Sequence, residues 1–198
     1  MTQARQADLI LASASPRRVQ LMAQLGCKPD EIVPADIDET AHKSELPSIY
    51  AKRMAMEKAA LIAARYPQSF VIGGDTVVAV GRRILPKAKS EDDALFCLKL
   101  LMGRAHRVYG GLAVACPDGR IIVKHSVSHV QFKRLDKRDI DHYIAQGDWQ
   151  GKAGGYAIQG AAARFIKQIR GSYSQIMGLD LYLLSNMLTA AGYPYGDR

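Results

Sequence analysis

The stretch Leu9-Ile-Leu-Ala-Ser-Ala-Ser-Pro-Arg-Arg18 limits what this chain can fold into more than any other. An apolar run that reads as a buried strand gives way, through Ser13 and Ser15, to Pro16. The missing N–H and fixed φ of proline suit the first position of a helix, and Ser15 is a natural N-cap for it. Val19, Met22 and Leu25 recur at helical spacing, and Gly26 ends the run. Arg17 and Arg18 are out of place, because the first turn of a helix favours anions. Two arginines beside free backbone N–H groups and two hydroxyls describe a polyanion site. A capped surface helix with two solvated arginines is the alternative, and this segment alone does not choose between them.

The rest of the chain extends the alternation. Pro47–Tyr66 is Ala- and Met-rich and reads as the longest helix, and Phe70–Val80 reads as a strand. Residues 28–46 read as an acidic loop. Ser90-Glu-Asp-Asp93 is a capping box opening a helix that ends at Gly103. His106–Cys116 and Arg120–Phe132 flank the turn Pro117-Asp-Gly119 as a hairpin. Asp136 and Asp139 cap a helix stopping at Gly147, a glycine-rich stretch leads into a strand at Ala163–Ile169, and a last helix covers Leu181–Ala191. The tail Tyr193–Arg198 reads as frayed. Strands alternate with helices early and pair as a hairpin later, which predicts a mixed α/β sheet. With 198 residues and no repeat or linker, one domain over residues 1–198 is expected, with two lobes about a cleft.

No apolar run is long enough to cross a bilayer, and residues 1–8 lack a signal-peptide core. Three scattered cysteines, Cys27, Cys97 and Cys116, suit reduced thiols, so a cytoplasmic location is expected. The net charge of +8 favours an anionic partner. The charge alone does not choose among nucleotide, nucleic acid and membrane surface, but the basic residues are dispersed and lack interleaved aromatics, so nucleic acid is not favoured.

Asp75 lies inside the apolar run, where a carboxylate is costly unless a cation or hydrogen-bond donors meet it. It is a candidate general base or metal-carrying group, against the simpler reading of a Gly-Gly-Asp turn. Gly73 and Gly74 before it predict a bulge or a close backbone approach. Among Asp36, Asp38 and Glu39, one acid could join Asp75 as a hard oxygen ligand for Mg²⁺ or Mn²⁺. A solvated acidic loop is the default. Lys58 on the long helix and Lys87 in Leu85-Pro-Lys-Ala-Lys89 read by default as solvated. Gly151-Lys-Ala-Gly-Gly-Tyr-Ala-Ile-Gln-Gly160 carries four glycines in ten residues, which implies special backbone conformations or close approach to a ligand. The Gln159 amide offers a donor and an acceptor suited to a base edge. His125 and His129 share a strand face without a third ligand, so no zinc site is expected.

Three of these segments resemble the Maf family of nucleoside triphosphate pyrophosphatases. They are Leu11–Arg18, Asp75–Val78 and Lys152–Gly160, with weaker echoes at Ile37–Glu39, Glu57–Ala59, Gly103–Val108 and Gly178-Leu179. The likeness spans nearly the whole chain. It implies an elongated mixed β-sheet with flanking helices and two lobes around a cleft, similar to the inosine-triphosphate pyrophosphatases. It also implies hydrolysis of a nucleoside triphosphate to the monophosphate and pyrophosphate with a divalent metal cation. Asp75 matches the family's proton acceptor. Arg17, Thr76 and Gln159 match positions that choose the base. Ser13, Arg18, Lys58 and Lys87 match residues around the phosphates, and Glu39 matches a metal-site acid. The Arg, Thr and Gln set resembles the dTTP/UTP branch, which implies dTTP, UTP or a modified pyrimidine nucleotide as substrate. Departures are Gly74 for a usual Ala, Pro86-Lys-Ala88 for Gly-Lys-Pro, Gly110 for Thr, and Asp180 for Pro. A non-catalytic regulator of septum formation, working through a protein or nucleic-acid partner, is the rival expectation. A homodimer is compatible with either.

Overall fold

The computed structural model describes residues 8–194, so the polar N-terminal segment before Asp8 and the last four residues of the tail lie outside the described residues. Seven strands form one sheet: β1 (Leu9–Leu11), β2 (Glu31–Ile32), β3 (Phe70–Val80), β4 (Arg83–Ile84), β5 (Ala105–Ala115), β6 (Ile121–Phe132) and β7 (Ile166–Arg170). Their order is β2-β1-β3-β5-β6-β7, with β4 paired to the far end of β3. The β1–β2 and β1–β3 pairs are parallel and the rest antiparallel, the mixed sheet expected. Six α-helices flank it: α1 (Pro16–Gln24), α2 (Pro47–Ala63), α3 (Glu91–Leu101), α4 (Lys137–Gln146), α5 (Tyr173–Met177) and α6 (Leu181–Ala191).

Alternation along β3 decides which helix each side chain meets. Val71, Val77 and Ala79 face α2, where they pack with Ala51, Met54, Ala55, Ala59 and Ile62. The alternate residues face the other side. Near β1 that side is filled by Leu21 and Met22 of α1 and Leu184 and Leu188 of α6. Toward β6 it is filled by Leu98 of α3, Tyr143 of α4 and Phe165. The α2 helix lies unusually close to the sheet because Gly73 and Gly111 lie beneath it. A Cβ on Gly73 would sit 2.2 Å from the Ala55 carbonyl oxygen, and one on Gly111 only 1.8 Å from that of Ala51. The Gly73 expectation thus resolves as close approach. No bulge forms, since the β3–β5 register runs unbroken from Val71 to Ala79.

Several local expectations need correction. Residues 28–46 are not loop throughout, because Glu31–Ile32 adds a short parallel strand to β1. Residues 161–165 form a 3-10 turn, so the strand begins at Ile166 instead of Ala163. Ser15 occupies the N-cap position but its hydroxyl makes no cap. Ser13 Oγ accepts the N–H of Ser15 itself, at 3.3 Å, which orders the entry to the helix without capping it. Tyr193, expected to fray, is buried and meets Phe70 edge-on with ring centroids 5.4 Å apart.

Candidate active site

The site forms where the sheet opens. β3 pairs with β1 up to Ile72 and with β4 from Ala79, so the intervening residues have no strand on that side. Side chains from both faces of β3 reach this gap. Asp75 arrives from the α2 face and Thr76 from the opposite one. Nine of the residues expected from the sequence and its resemblance line one cleft of about 290 Å³: Ser13, Arg17, Arg18, Glu39, Lys58, Asp75, Thr76, Lys87 and Gln159. Of the three candidate acids in the loop only Glu39 reaches it, and Asp36 and Asp38 do not line it.

On the α2 face, Lys58 is 5% exposed and Asp75 4% exposed. Lys58 is therefore not the solvated lysine that its helix position suggested. The glycine-dependent approach of α2 brings Lys58 Nζ within 2.8 Å of Asp75 Oδ1 and 2.7 Å of Glu39 Oε1. Lys87 Nζ holds the other Glu39 oxygen. Cation and carboxylate alternate along Asp75–Lys58–Glu39–Lys87, so the buried charges are compensated in place. Burial alone would raise the Glu39 pKa, but hydrogen bonds from Lys58 and Lys87 outweigh it and hold that carboxyl at about 2. The Tyr50 hydroxyl donates to the Glu39 carbonyl at 2.7 Å, fixing the acidic loop to α2.

On the other face stand the two arginines. Arg18 is buried; its Nη1 donates to Ser13 Oγ at 2.7 Å and its Nε to the Gly178 carbonyl at 3.0 Å. Arg17 Nε donates to the Met177 carbonyl at 3.1 Å. Thr76 Oγ1 also donates to the Gly178 carbonyl, at 3.4 Å. Burial lowers the pKa of both guanidiniums, opposed for Arg18 mainly by the nearby Asp75 carboxylate. The out-of-place cations of α1 thus sit against the carbonyl end of α5, a partner that sequence reading did not supply.

The glycine-rich stretch closes the cleft from across. Gly151, Gly154 and Gly155 adopt positive φ. Ala153 bridges to Lys87, and backbone bonds join Ala88 to Lys152 and Gly154 to Pro86. The changed Pro86-Lys-Ala88 motif therefore still delivers Lys87 to the site. Tyr156 is anchored by His106 Nε2 at 2.8 Å, and Gln159 stands exposed at the rim. Sequence reasoning missed Lys152, which also lines the cleft and whose pKa is lowered by burial and by Arg17. Its place inside the third motif was the available signal.

The Maf-like protein model matches residues 8–191, and the chain belongs to this family. The dTTP/UTP pyrophosphatase of Caulobacter vibrioides is 54% identical, covering 93% of this chain and 96% of that protein. The protein of the same name from Rhodospirillum rubrum is 52% identical over 95% and 90%. Among solved structures, the Ham1 protein of Staphylococcus aureus superposes with a TM-score of 0.53 at 15% identity, covering 92% of this chain and 98% of that one. A HAM1 protein from Coxiella burnetii gives 0.52 at 16% identity over 93% and 100%. These two likenesses concern the fold.

Proposed function

We propose that this protein hydrolyses a nucleoside triphosphate, dTTP or UTP, between the α- and β-phosphates, releasing the monophosphate and pyrophosphate. The observation that carries this reading is a buried carboxylate, Asp75, set opposite two arginines across one cleft. Such an arrangement suits hydrolysis by positioning and charge neutralisation, without a covalent nucleophile. The names of the relatives favour catalysis over a non-catalytic regulator.

In this reading Asp75 orients or deprotonates the attacking water. Arg18, Ser13, Lys58 and Lys87 hold the triphosphate, with Lys152 as a further cation. Arg17, Thr76 and Gln159 lie toward the base. A divalent cation suits the chemistry of Glu39, but both Glu39 oxygens are taken by Lys58 and Lys87, so it would displace one of those lysines. Glu39 is an ionised hard oxygen donor bridged through Lys58 to Asp75, and Mg²⁺ is commonly held by one or two carboxylates plus substrate phosphates. No larger group of metal-ligating side chains exists among the described residues. Glu39 is the residue that would hold the cation, which would supply neutralisation of phosphate charge.

The test is pyrophosphate release from dTTP and UTP with Mg²⁺. Asp75→Asn keeps shape and leaves Lys58 paired with Glu39, so the fold is retained while turnover drops by about 10²–10⁴-fold, the usual contribution of a positioned base. Turnover at the wild-type rate in that variant would overturn the assignment of Asp75.

A further inference from the structure

Behind the arginine wall lies an unusual contact. Gln175, in the middle of α5, is 0% exposed, and neither end of its amide has a hydrogen-bond partner. Its side chain lies over Gly110 of β5. A Cβ on Gly110 would stand 2.8 Å from Gln175 Cγ and 3.0 Å from Nε2. Gly110 is the cross-strand neighbour of Thr76 on one side and of Ser126 on the other. The glycine therefore leaves a notch in the row Thr76–Gly110–Ser126, and the stem of Gln175 fills it.

The same short helix is pinned at both ends. Ser172 N–H donates to Ser128 Oγ at 3.0 Å, and Ser128 Oγ donates to the Ser172 carbonyl at 3.2 Å. At the other end the Met177 and Gly178 carbonyls take Arg17, Arg18 and Thr76. A buried amide without partners costs stability, so polar bonding does not account for Gln175. Its fit in the notch does.

We propose that Gln175 is a positioning residue for triphosphate binding. Seated over Gly110, it fixes α5 so that the Met177 and Gly178 carbonyls hold Arg17 and Arg18 facing the cleft. This rests on the hydrolytic reading above for the identity of the ligand. Asp75 faces α2, away from α5, so disturbing the notch weakens binding and spares the chemical step. The effect falls on KM more than on kcat.

Four variants test this: G110A, Q175A, Q175M and the double variant G110A/Q175A. Each is measured by pyrophosphate release from dTTP, by calorimetric binding of inorganic tripolyphosphate, and by thermal melting. G110A and Q175A each raise KM by about tenfold or more, the scale of one charge-assisted hydrogen bond, with kcat within about threefold. In the double variant the new methyl occupies the emptied notch, and KM returns toward wild type, a non-additivity expected of groups in contact. Q175M, with an unbranched stem of similar length, restores KM relative to Q175A. Additive losses in the double variant, a Q175M protein as weak as Q175A, or lowered melting with unchanged KM would each overturn the proposal. Tripolyphosphate binding separates the two claims. No turnover by the wild type, with binding still in this order, defeats the hydrolytic reading alone. Normal turnover with binding that ignores the notch defeats the role of Gln175 alone.

Discussion

Lys58→Met isolates the electrostatic debt inside the cleft. In the native protein Lys58 Nζ bridges Asp75 at 2.8 Å and Glu39 at 2.7 Å, with side-chain exposures of 7% for Lys58, 6% for Asp75 and 36% for Glu39. Methionine preserves the stem and removes the charge. Glu39 keeps Lys87 and has access to water, so most of the loss falls on Asp75, now buried beside no salt-bridge partner. Breaking a buried pair from one side costs about 3–5 kcal/mol. At about 2–4 °C per kcal/mol for a chain of this size, melting falls by roughly 6–20 °C. The double variant K58M/D75N removes the stranded charge as well. Its remaining cost is that of ordinary buried polar groups, about 1–3 kcal/mol, so D75N partly rescues K58M. Urea unfolding followed by circular dichroism reads all four corners of the cycle. A K58M protein within about 0.5 kcal/mol of wild type, the range of neutral surface changes, would refute the account. So would a double variant no more stable than K58M.

Three further outcomes follow from the geometry. Gly111→Ala drives a Cβ to 1.8 Å from the Ala51 carbonyl, so α2 must retreat; stability falls by at least the roughly 3 kcal/mol upper range of overpacking, and turnover falls with it because Lys58 leaves Asp75, both read by melting and pyrophosphate release. Glu39 is held at about 2 against an ordinary 4.5; a depressed folded pKa stabilises the fold above pH 4.5 and loses that contribution as pH falls toward 2, so Glu39→Gln flattens the denaturant-derived stability profile in this window, modestly because the group is partly exposed. His106 is pushed by burial from 6.5 to about 4; the unfolded chain then binds its proton first, so about 3 kcal/mol of stability is lost as pH falls from 6.5 to 4, and His106→Phe removes this slope in the same profile.

Much of this arrangement is legible in the sequence where a residue and its cause lie close together. The capping boxes at Ser90 and Asp136 form as read, each with both hydrogen bonds. The hairpin at Pro117-Asp-Gly119 closes with Gly119 at φ 84°. Asp75 inside an apolar strand correctly signals a compensated charge. What stays hidden depends on contacts distant in sequence. Lys58 carries no local mark of burial, since its environment is set by two glycines on β3 and β5 that admit α2. The five residues of α5 are too few to show a helical period, and β2 is two exposed residues that pair only because β1 lies alongside. Gly110 and Gln175 are separated by 65 positions of unrelated pattern, and neither is informative until the other is placed over it.

The gap in the sheet explains why the opening anomaly and the buried acid belong to one site. A continuous strand presents successive side chains to opposite faces, so Asp75 and Thr76 cannot share a surface on a covered strand. Here β1 stops at Leu11 and β4 starts only opposite Ala79, which leaves the edge of β3 bare between them. Around a bare edge both faces meet, and a single ligand can touch the acid from one and the arginines from the other. This division gives each face its own scaffold. The glycine floor under α2 sets the Asp75–Lys58–Glu39 chain, and the carbonyl end of α5 sets Arg17 and Arg18. The two can be perturbed separately: Gly111→Ala, which moves Lys58 away from Asp75 and from the phosphates, should lower kcat as well as raise KM, whereas Gly110→Ala, one residue earlier on the same strand, should raise KM and leave kcat nearly unchanged. A kcat loss confined to the Gly111 variant is what an edge-wrapped site demands, and an equal kcat loss from both would show that the faces do not act independently.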